Sequence, residues 1–309
     1  DHPRFRGSTD VKGLCPGRSD QCAFDVQDRE GGSAVKQDER SQGFEWPQTT
    51  PPYHCITDEQ AEQWHRDGYF LLKNAIPQAA IAALLADADA LEAAREAQLR
   101  AQHEGHFLIN RAGEITFTIH IVKQSRAARR FVFEPALIDL CRDLIGPDAR
   151  LYWDQLVYKK PENPQEFPWH QDNGYTFVKP ENYLTCWIPL TPATIDNGCP
   201  WVAAGVHQSG TLAHWVTDLG YQCLTEADEA GLPIQAVEAE VGDVVVFSSL
   251  TPHRTGPNVT SEVRKAYIVQ YAPDGAVMHP RQSDEVLFQV DPARHFLVCQ
   301  GGEPQPCLD

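Results

Sequence analysis

Trp169-His170-Gln171-Asp172 places an imidazole and a carboxylate two residues apart at the end of a strand-like run. In an extended chain residues i and i+2 face the same side, so one ring nitrogen and one carboxylate oxygen meet the same cation. Alone, H-x-D is a common triplet, and most of the twelve histidines are read as surface or satisfied core residues. A second segment gives this pair weight. Gly242–Phe247 has the pattern of a buried strand and runs into Pro252-His253-Arg254-Thr255-Gly256, so that His253 stands just past a strand end on a rigid scaffold. His170, Asp172 and His253 together make a 2-His-1-carboxylate facial triad. That donor set leaves three coordination positions open and marks non-haem Fe(II) oxygenases. The open positions are the chemical requirement, because one must take O2 and two can chelate an oxo-acid.

Eleven residues after His253, Arg264 opens the strand pattern Arg264–Tyr271. A planar, permanently charged guanidinium suits a bidentate grip on a carboxylate, and Thr255 offers a hydroxyl to the same group. Read singly, Arg264 is an ordinary strand-end cation and Thr255 a turn residue; beside the triad they read as an anion site. Two other readings of the same residues stay open at this level. One is a cupin-type metalloenzyme that does not use 2-oxoglutarate and so has no need of Arg264 with Thr255. The other is a non-catalytic binding protein.

Further stretches carry a family likeness: Asp67-Gly68-Tyr69-Phe70, Gln155–Tyr158, Pro168–Asp172, Leu184-Thr185-Cys186-Trp187-Ile188-Pro189-Leu190, Asp196-Asn197-Gly198-Cys199, Gly205-Val206-His207, Pro252-His253 and Arg264. Over about residues 56–280 the chain resembles the phytanoyl-CoA dioxygenase family. The resemblance implies a mainly β fold with flanking helices around a double-stranded β-helix (jelly-roll) core. It also implies Fe(II), O2 and 2-oxoglutarate as co-substrate, decarboxylation to succinate and CO2, and hydroxylation or desaturation of an unactivated C–H in a small organic molecule. By that resemblance His170, Asp172 and His253 hold iron, and Arg264 and Thr255 bind the far carboxylate of 2-oxoglutarate. Gln155 falls where the family places a polar contact to the co-substrate. Lys159 shares its strand parity, and Trp187 matches an aromatic lining the pocket. Related halogenases carry a small residue in place of Asp172, so its presence favours hydroxylation over halogenation. The chain departs from the family at Gly205-Val206-His207, where many members have G-S-H; His207 is not an expected ligand.

Around these residues the sequence divides into regions. Residues 1–52, with the turn-type stretches GRSD, REGGS and QTTPP, read as an irregular N-terminal arm. Residues 53–309 read as one jelly-roll oxygenase domain, with a helical buttress at 57–146 and a β core at 150–273. Thr57 with Gln60 predicts a capping box, with the helix ending near Gly68. A short strand Tyr69–Lys73 follows, then a long helix from Ala79 to about His103. Phe107–Asn110 and Ile115–Val122 read as a hairpin, and Glu134–Ile145 as a helix stopped by Gly146-Pro147. Strand patterns follow at Leu151–Tyr158, Tyr183–Leu190, Ile234–Val237, Asp243–Phe247 and Ala266–Tyr271. This order, helices first and strands after, argues against alternating βαβ units. Trp153, Tyr158, Trp169, Tyr175, Phe177 and Trp215 are candidate walls of a substrate pocket, with Gly174–Asn182 as a lid.

The whole chain has 309 residues, 42% of them hydrophobic, and a net charge of −17. Such a core excludes global disorder, and such a charge makes phosphate backbones and anionic bilayers poor partners. No run of about 18 apolar residues exists to span a membrane. Nine cysteines at irregular spacing contain no CxxC, so neither a zinc ribbon nor a disulfide scaffold is indicated; free thiols in the cytoplasm fit best. The pairs Cys15–Cys22 and Cys299–Cys307 remain open. The chain starts at Asp1 and has its one methionine at Met278, which leaves a removed leader open. No basic cluster awaits a CoA diphosphate, since Lys159, Lys160 and Lys179 are the only nearby lysines, so a free small molecule is favoured over an acyl-CoA.

Overall fold

Thr57 and Gln60 form the reciprocal cap that their spacing predicts: the Thr57 hydroxyl accepts from Gln60 N–H, and the Gln60 carboxamide accepts from Thr57 N–H at 3.0 Å. They open α1 (Asp58–Asp67), which Gly68 closes in the left-handed conformation. In the computed structural model, which describes residues 35–102, 105–280 and 285–307, β1 (Tyr69–Leu72) and α2 (Gln78–Arg100) follow. Then come β2 (His106–Phe107), β3 (Asn110–Arg111), β4 (Ile115–Ile119), α3 (Arg126–Phe131) and α4 (Pro135–Leu144). The strand-rich part begins with β5 (Ala149–Lys159), β6 (Phe167–His170), α5 (Asp172–Tyr175), β7 (Phe177–Lys179), β8 (Leu184–Pro189) and β9 (Pro200–Ala203). It continues through β10 (Trp215–Thr217), β11 (Gly220–Gln222), α6 (Glu226–Glu229), β12 (Ile234–Ala236), β13 (Val244–Ser248) and β14 (His253–Thr255). The last strands are β15 (Arg264–Pro273), β16 (Val277–His279), β17 (Leu287–Phe288), β18 (Leu297–Gln300) and β19 (Glu303–Pro304).

The strands form a large sheet ordered β1-β13-β8-β15-β5-β4-β3-β2 and a small one ordered β12-β9-β14-β6, with antiparallel neighbours. The chain crosses between them repeatedly: β5 to β6, β8 to β9, and β13 to β14 to β15. That alternation is the double-stranded β-helix, or jelly roll. A third sheet, β17-β16-β7, takes up the segment expected as a lid. It is no free loop. Asn173 is buried, its amide donating to Thr211 Oγ1 at 2.7 Å and its carbonyl accepting from Val178 N–H at 2.8 Å, while β7 pairs with β16.

Strand parity separates two layers. Leu156, Tyr158, Leu184, Cys186, Ile188, Val244, Val246, Tyr267 and Val269 face outward and share one cluster with Trp64, Ile81, Leu84, Phe131, Leu137 and Leu140 of the helices. Each such side chain taken wholly from water is worth about 1.5–3 kcal/mol. The opposite parity, Trp187, Val245, Phe247, Ala266 and Ile268, faces the small sheet. A buried Asp143 in α4 accepts from the backbone N–H groups of His54, Cys55 and Ile56 at 2.8, 2.9 and 3.2 Å, so one carboxylate fixes how the chain enters α1.

Residues 1–34 of the expected arm, with Cys15 and Cys22, lie outside the described residues. Within 35–52, Gln37 bridges to Leu212 and the Ser41 hydroxyl donates to buried Glu181 at 2.6 Å. Cys299 and Cys307 do not pair: Cys299 is buried in β18, and Cys307 lies against the Arg129 carbonyl at 3.7 Å. Among the described residues no helix is long and apolar enough to cross a membrane.

Candidate active site

His170 and His253 stand opposite each other in the register of β6 and β14, so the sheet itself brings them together from 83 positions apart in the chain. Their rings lie 4.1 Å apart between centroids. Asp172 is not on the strand, as its spacing from His170 suggested, but opens α5; Gln171, still extended, carries the chain between the two. The carboxylate arrives all the same. Its Oδ1 lies 4.0 Å from His170 Nε2 and 3.8 Å from His253 Nε2, and one donor atom from each of the three converges within 4.8 Å.

The two imidazoles are prepared in the same way. His170 Nδ1 contacts the Pro168 carbonyl at 2.8 Å, and His253 Nδ1 the Thr251 carbonyl at 3.0 Å. A carbonyl can only accept, so Nδ1 carries the hydrogen and the Nε2 lone pair faces the centre. Phe167 packs edge-on against His170 at 5.0 Å, and Phe247 lies tilted against His253 at 4.5 Å. Burial, with His253 beside it, pushes the His170 pKa well below the usual imidazole value, which keeps the ring a neutral donor. Asp172 is held from its far side: Thr185 Oγ1 donates to Oδ2 at 2.6 Å, and Gln270 Nε2 donates in turn to Thr185 Oγ1 at 3.2 Å. Thr185 and Gln270 are register partners on β8 and β15 and are both buried.

Gln171 explains why this turn is rigid. Its side chain is wholly buried and points away from the triad, donating to the Gly210 and Leu250 carbonyls at 3.0 and 2.5 Å and accepting from Leu212 N–H at 2.6 Å. Gly174 is required by close approach, because a Cβ there would lie 2.1 Å from His214 Nε2, the atom that accepts from Gln171 N–H.

Arg264 is 1% exposed and lies over the Trp187 ring at 5.2 Å. Its Nε, Nη1 and Nη2 have no hydrogen-bond partner among the described residues, and burial pulls its pKa down to about 10. Arg264 pairs in register with Lys159. The Lys159 ammonium donates to Thr255 Oγ1 at 2.9 Å, to the Thr255 carbonyl at 3.1 Å and to the Gly256 carbonyl, and burial beside Arg264 drives its pKa far down. Its hydrogens are thus spent on the turn after β14, two residues from His253. Gly198, at φ +86°, is a glycine because a Cβ would sit 2.5 Å from the Gly256 carbonyl and 2.9 Å from Lys159 Cδ. Gln155 faces inward, opposite Ile268, and accepts from Trp153 Nε1 at 3.0 Å.

The expected aromatic walls divide. Tyr175 lies 5.3 Å from the His170 ring. Tyr158 instead faces the helices and donates to Asp89, and Trp169 turns to the far side of the small sheet, where its Nε1 donates to Glu229. Parity decides both: they occupy the strand positions that alternate with Lys159 and His170. His207 is buried against Trp46, 4.4 Å between rings, away from the triad group. Thr185, Gln171 and Gln270 were not singled out from sequence. The signal available was parity, since Thr185 alternates in phase with Trp187, and Gln270 with Arg264.

A family model, phytanoyl-CoA dioxygenase (PhyH), matches residues 64–266. The methylphosphonate hydroxylase of Gimesia maris is 28% identical over 218 residues, 70% of this chain and 80% of that protein. The ectoine dioxygenase of Sphingopyxis alaskensis is 26% identical over 286 residues, 84% of this chain and 87% of that protein. Among solved structures, EctD from S. alaskensis with 2-oxoglutarate and 5-hydroxyectoine superposes with a TM-score of 0.60 at 21% identity, covering 86% of this chain and 92% of that one. The epimerase SnoN, in complex with Fe3+, alpha ketoglutarate and nogalamycin RO, gives 0.60 at 22% identity, covering 73% and 87%.

Proposed function

Because the chain belongs to the phytanoyl-CoA dioxygenase family, we propose that its oxidation chemistry runs at His170, Asp172 and His253, with 2-oxoglutarate anchored on Arg264. The enzyme is an Fe(II)- and 2-oxoglutarate-dependent oxygenase acting on a small molecule. When bound, the metal, 2-oxoglutarate and O2 supply oxidation of an unactivated C–H, coupled to release of succinate and CO2. The protein's part is to hold and exclude. The Nε2 atoms of His170 and His253 and Asp172 Oδ1 offer three ligands on one side of a centre, leaving the other side for co-substrate and O2.

The observation that carries the reading is Arg264: a buried guanidinium with no partner among the described residues awaits an anion. Leaving such a charge unpaired is costly, and a bidentate carboxylate removes the cost. Thr255 supports it with a hydroxyl that accepts from Lys159 and keeps its own hydrogen to donate. Lys159 acts through the turn it clamps. Trp187 floors Arg264, and the Gln155 amide, its oxygen held by Trp153, offers N–H groups toward the co-substrate. A metalloenzyme with no use for 2-oxoglutarate would have no occupant for Arg264.

The substrate reading is a free small molecule. Besides Lys159, whose hydrogens are spent, Lys160 is taken up by Glu92 and Glu96 at 2.7 and 2.8 Å, which leaves no pair of cations there for a CoA diphosphate. A cytoplasmic setting belongs to the same reading, supported by seven described cysteines that are all free. The test is O2-dependent succinate formation from 2-oxoglutarate by the Fe(II)-loaded enzyme, screened against free organic and phosphonic acids and against acyl-CoA thioesters. Stimulation by a free acid supports the reading; oxidation that proceeds without 2-oxoglutarate overturns it, and stimulation by thioesters alone overturns the substrate class.

A further inference from the structure

Asp172 is a carboxylate with two oxygens, and only one of them faces the histidines. Oδ1 lies 3.8 and 4.0 Å from the two Nε2 atoms, while Oδ2 accepts the Thr185 hydroxyl at 2.6 Å. The hydroxyl has one hydrogen, and Gln270 decides where it goes. Gln270 Nε2 donates to Thr185 Oγ1 at 3.2 Å, occupying a lone pair and leaving the hydroxyl hydrogen to Asp172. Both residues are at most 6% exposed, so no bulk water competes for these bonds. We propose that Thr185 and Gln270 are positioning residues: a Gln270–Thr185–Asp172 relay that ties off Oδ2 and aims Oδ1 at the point the two Nε2 atoms face. The consequence is chemical. A carboxylate free to rotate would lose the alignment of Oδ1 with the two Nε2 atoms and hold a metal more weakly. This inference rests on the triad being the metal site.

Outer partners of metal ligands cost about 10–100-fold in metal affinity when removed. The experiment titrates apo-protein with Co(II), followed by its visible absorption, in wild type, His170→Ala, Thr185→Val, Thr185→Ser, Gln270→Met and the double variant Thr185→Val/Gln270→Met. The relay predicts that Thr185→Val binds Co(II) about 10–100-fold more weakly and that Thr185→Ser restores binding. It also predicts that Gln270→Met gives a smaller loss which vanishes in the Thr185→Val background, because its effect passes through the hydroxyl. A merely structural role would lower thermal stability without this pattern. Wild-type affinity in Thr185→Val, a Thr185→Ser as weak as Thr185→Val, or a Gln270→Met loss that persists without the hydroxyl each overturns the relay. Co(II) binding that survives His170→Ala unchanged overturns the triad assignment, and the relay with it.

Discussion

An imidazole is a good metal ligand only when its other nitrogen is occupied, and here the chain uses one device twice: each histidine gives its Nδ1 hydrogen to the carbonyl two residues before it. In the proposed triad Asp172 completes the set, so Asp172→Ala is expected to abolish Fe(II)-dependent succinate formation while leaving the circular dichroism spectrum unchanged; retained turnover would contradict the triad. The proposed role of Arg264 separates co-substrate from metal. Arg264→Ala should weaken 2-oxoglutarate binding by about 2–5 kcal/mol, the cost of losing one side of a buried charge-assisted pair, with Fe(II) affinity little changed. Anaerobic titration of the charge-transfer absorption of the ternary complex measures the first and metal titration the second, and equal loss of both would contradict the role. At this scale the sequence was most informative about residues whose type stands out at their position: two histidines on facing strands, a carboxylate two residues past one of them, and an arginine opening a strand that proves fully buried. Thr185 and Gln270 were silent because threonine and glutamine are unremarkable in strands; only their inward parity, shared with Trp187 and Arg264, distinguishes them.

Among elements, the turn from β6 into α5 places Asp172, and Gln171 holds that turn. Gln171→Ala would leave two buried carbonyls and a buried N–H without partners, each costing about 1–3 kcal/mol, so a loss of about 3 kcal/mol or more in urea denaturation is expected. A loss below about 1 kcal/mol would show that water replaces the carboxamide. Helices and core strands were legible to within a few residues because their signals are local: the Thr57–Gln60 cap, Pro135 beginning α4, and apolar runs for strands covered on both faces. The segment after Asp172 was misjudged as a lid for a nonlocal reason. What pins it, the pairing of β7 with β16 and the Asn173–Thr211 bond, comes from partners 38 to about 100 residues away. Cys299 and Cys307 were close in sequence but lead to different surroundings, β18 and the end of α3.

For the whole molecule, a charge of −17 coexists with a buried cation at Arg264, so repulsion of polyanions and the proposed affinity for one small dianion belong to different depths of the same protein. Buried histidines also set its acid limit. Burial pushes His207 down to about 4 from its usual 6.5. The folded state therefore holds fewer protons than the unfolded one between those values; the stabilisation is complete above about pH 6.5 and is lost as pH falls toward 4. At about 1.36 kcal/mol per unit this is about 3 kcal/mol. His207→Leu should flatten the fall in apo-protein stability between pH 7 and 4.5, with His295, pushed down to about 3 by burial, retaining part of it. An unchanged slope would rule His207 out as a contributor. The pairing of His170 with His253 carries a further consequence, for folding kinetics. A slip of one residue between β6 and β14 would turn one imidazole to the opposite face, so on the proposed triad only one register would chelate metal. Metal bound to that register alone lowers its free energy and not that of the slipped pairings. The ion is then a proofreader of strand alignment as well as a cofactor, and refolding with Co(II) present should give a higher yield of native protein than refolding with chelator.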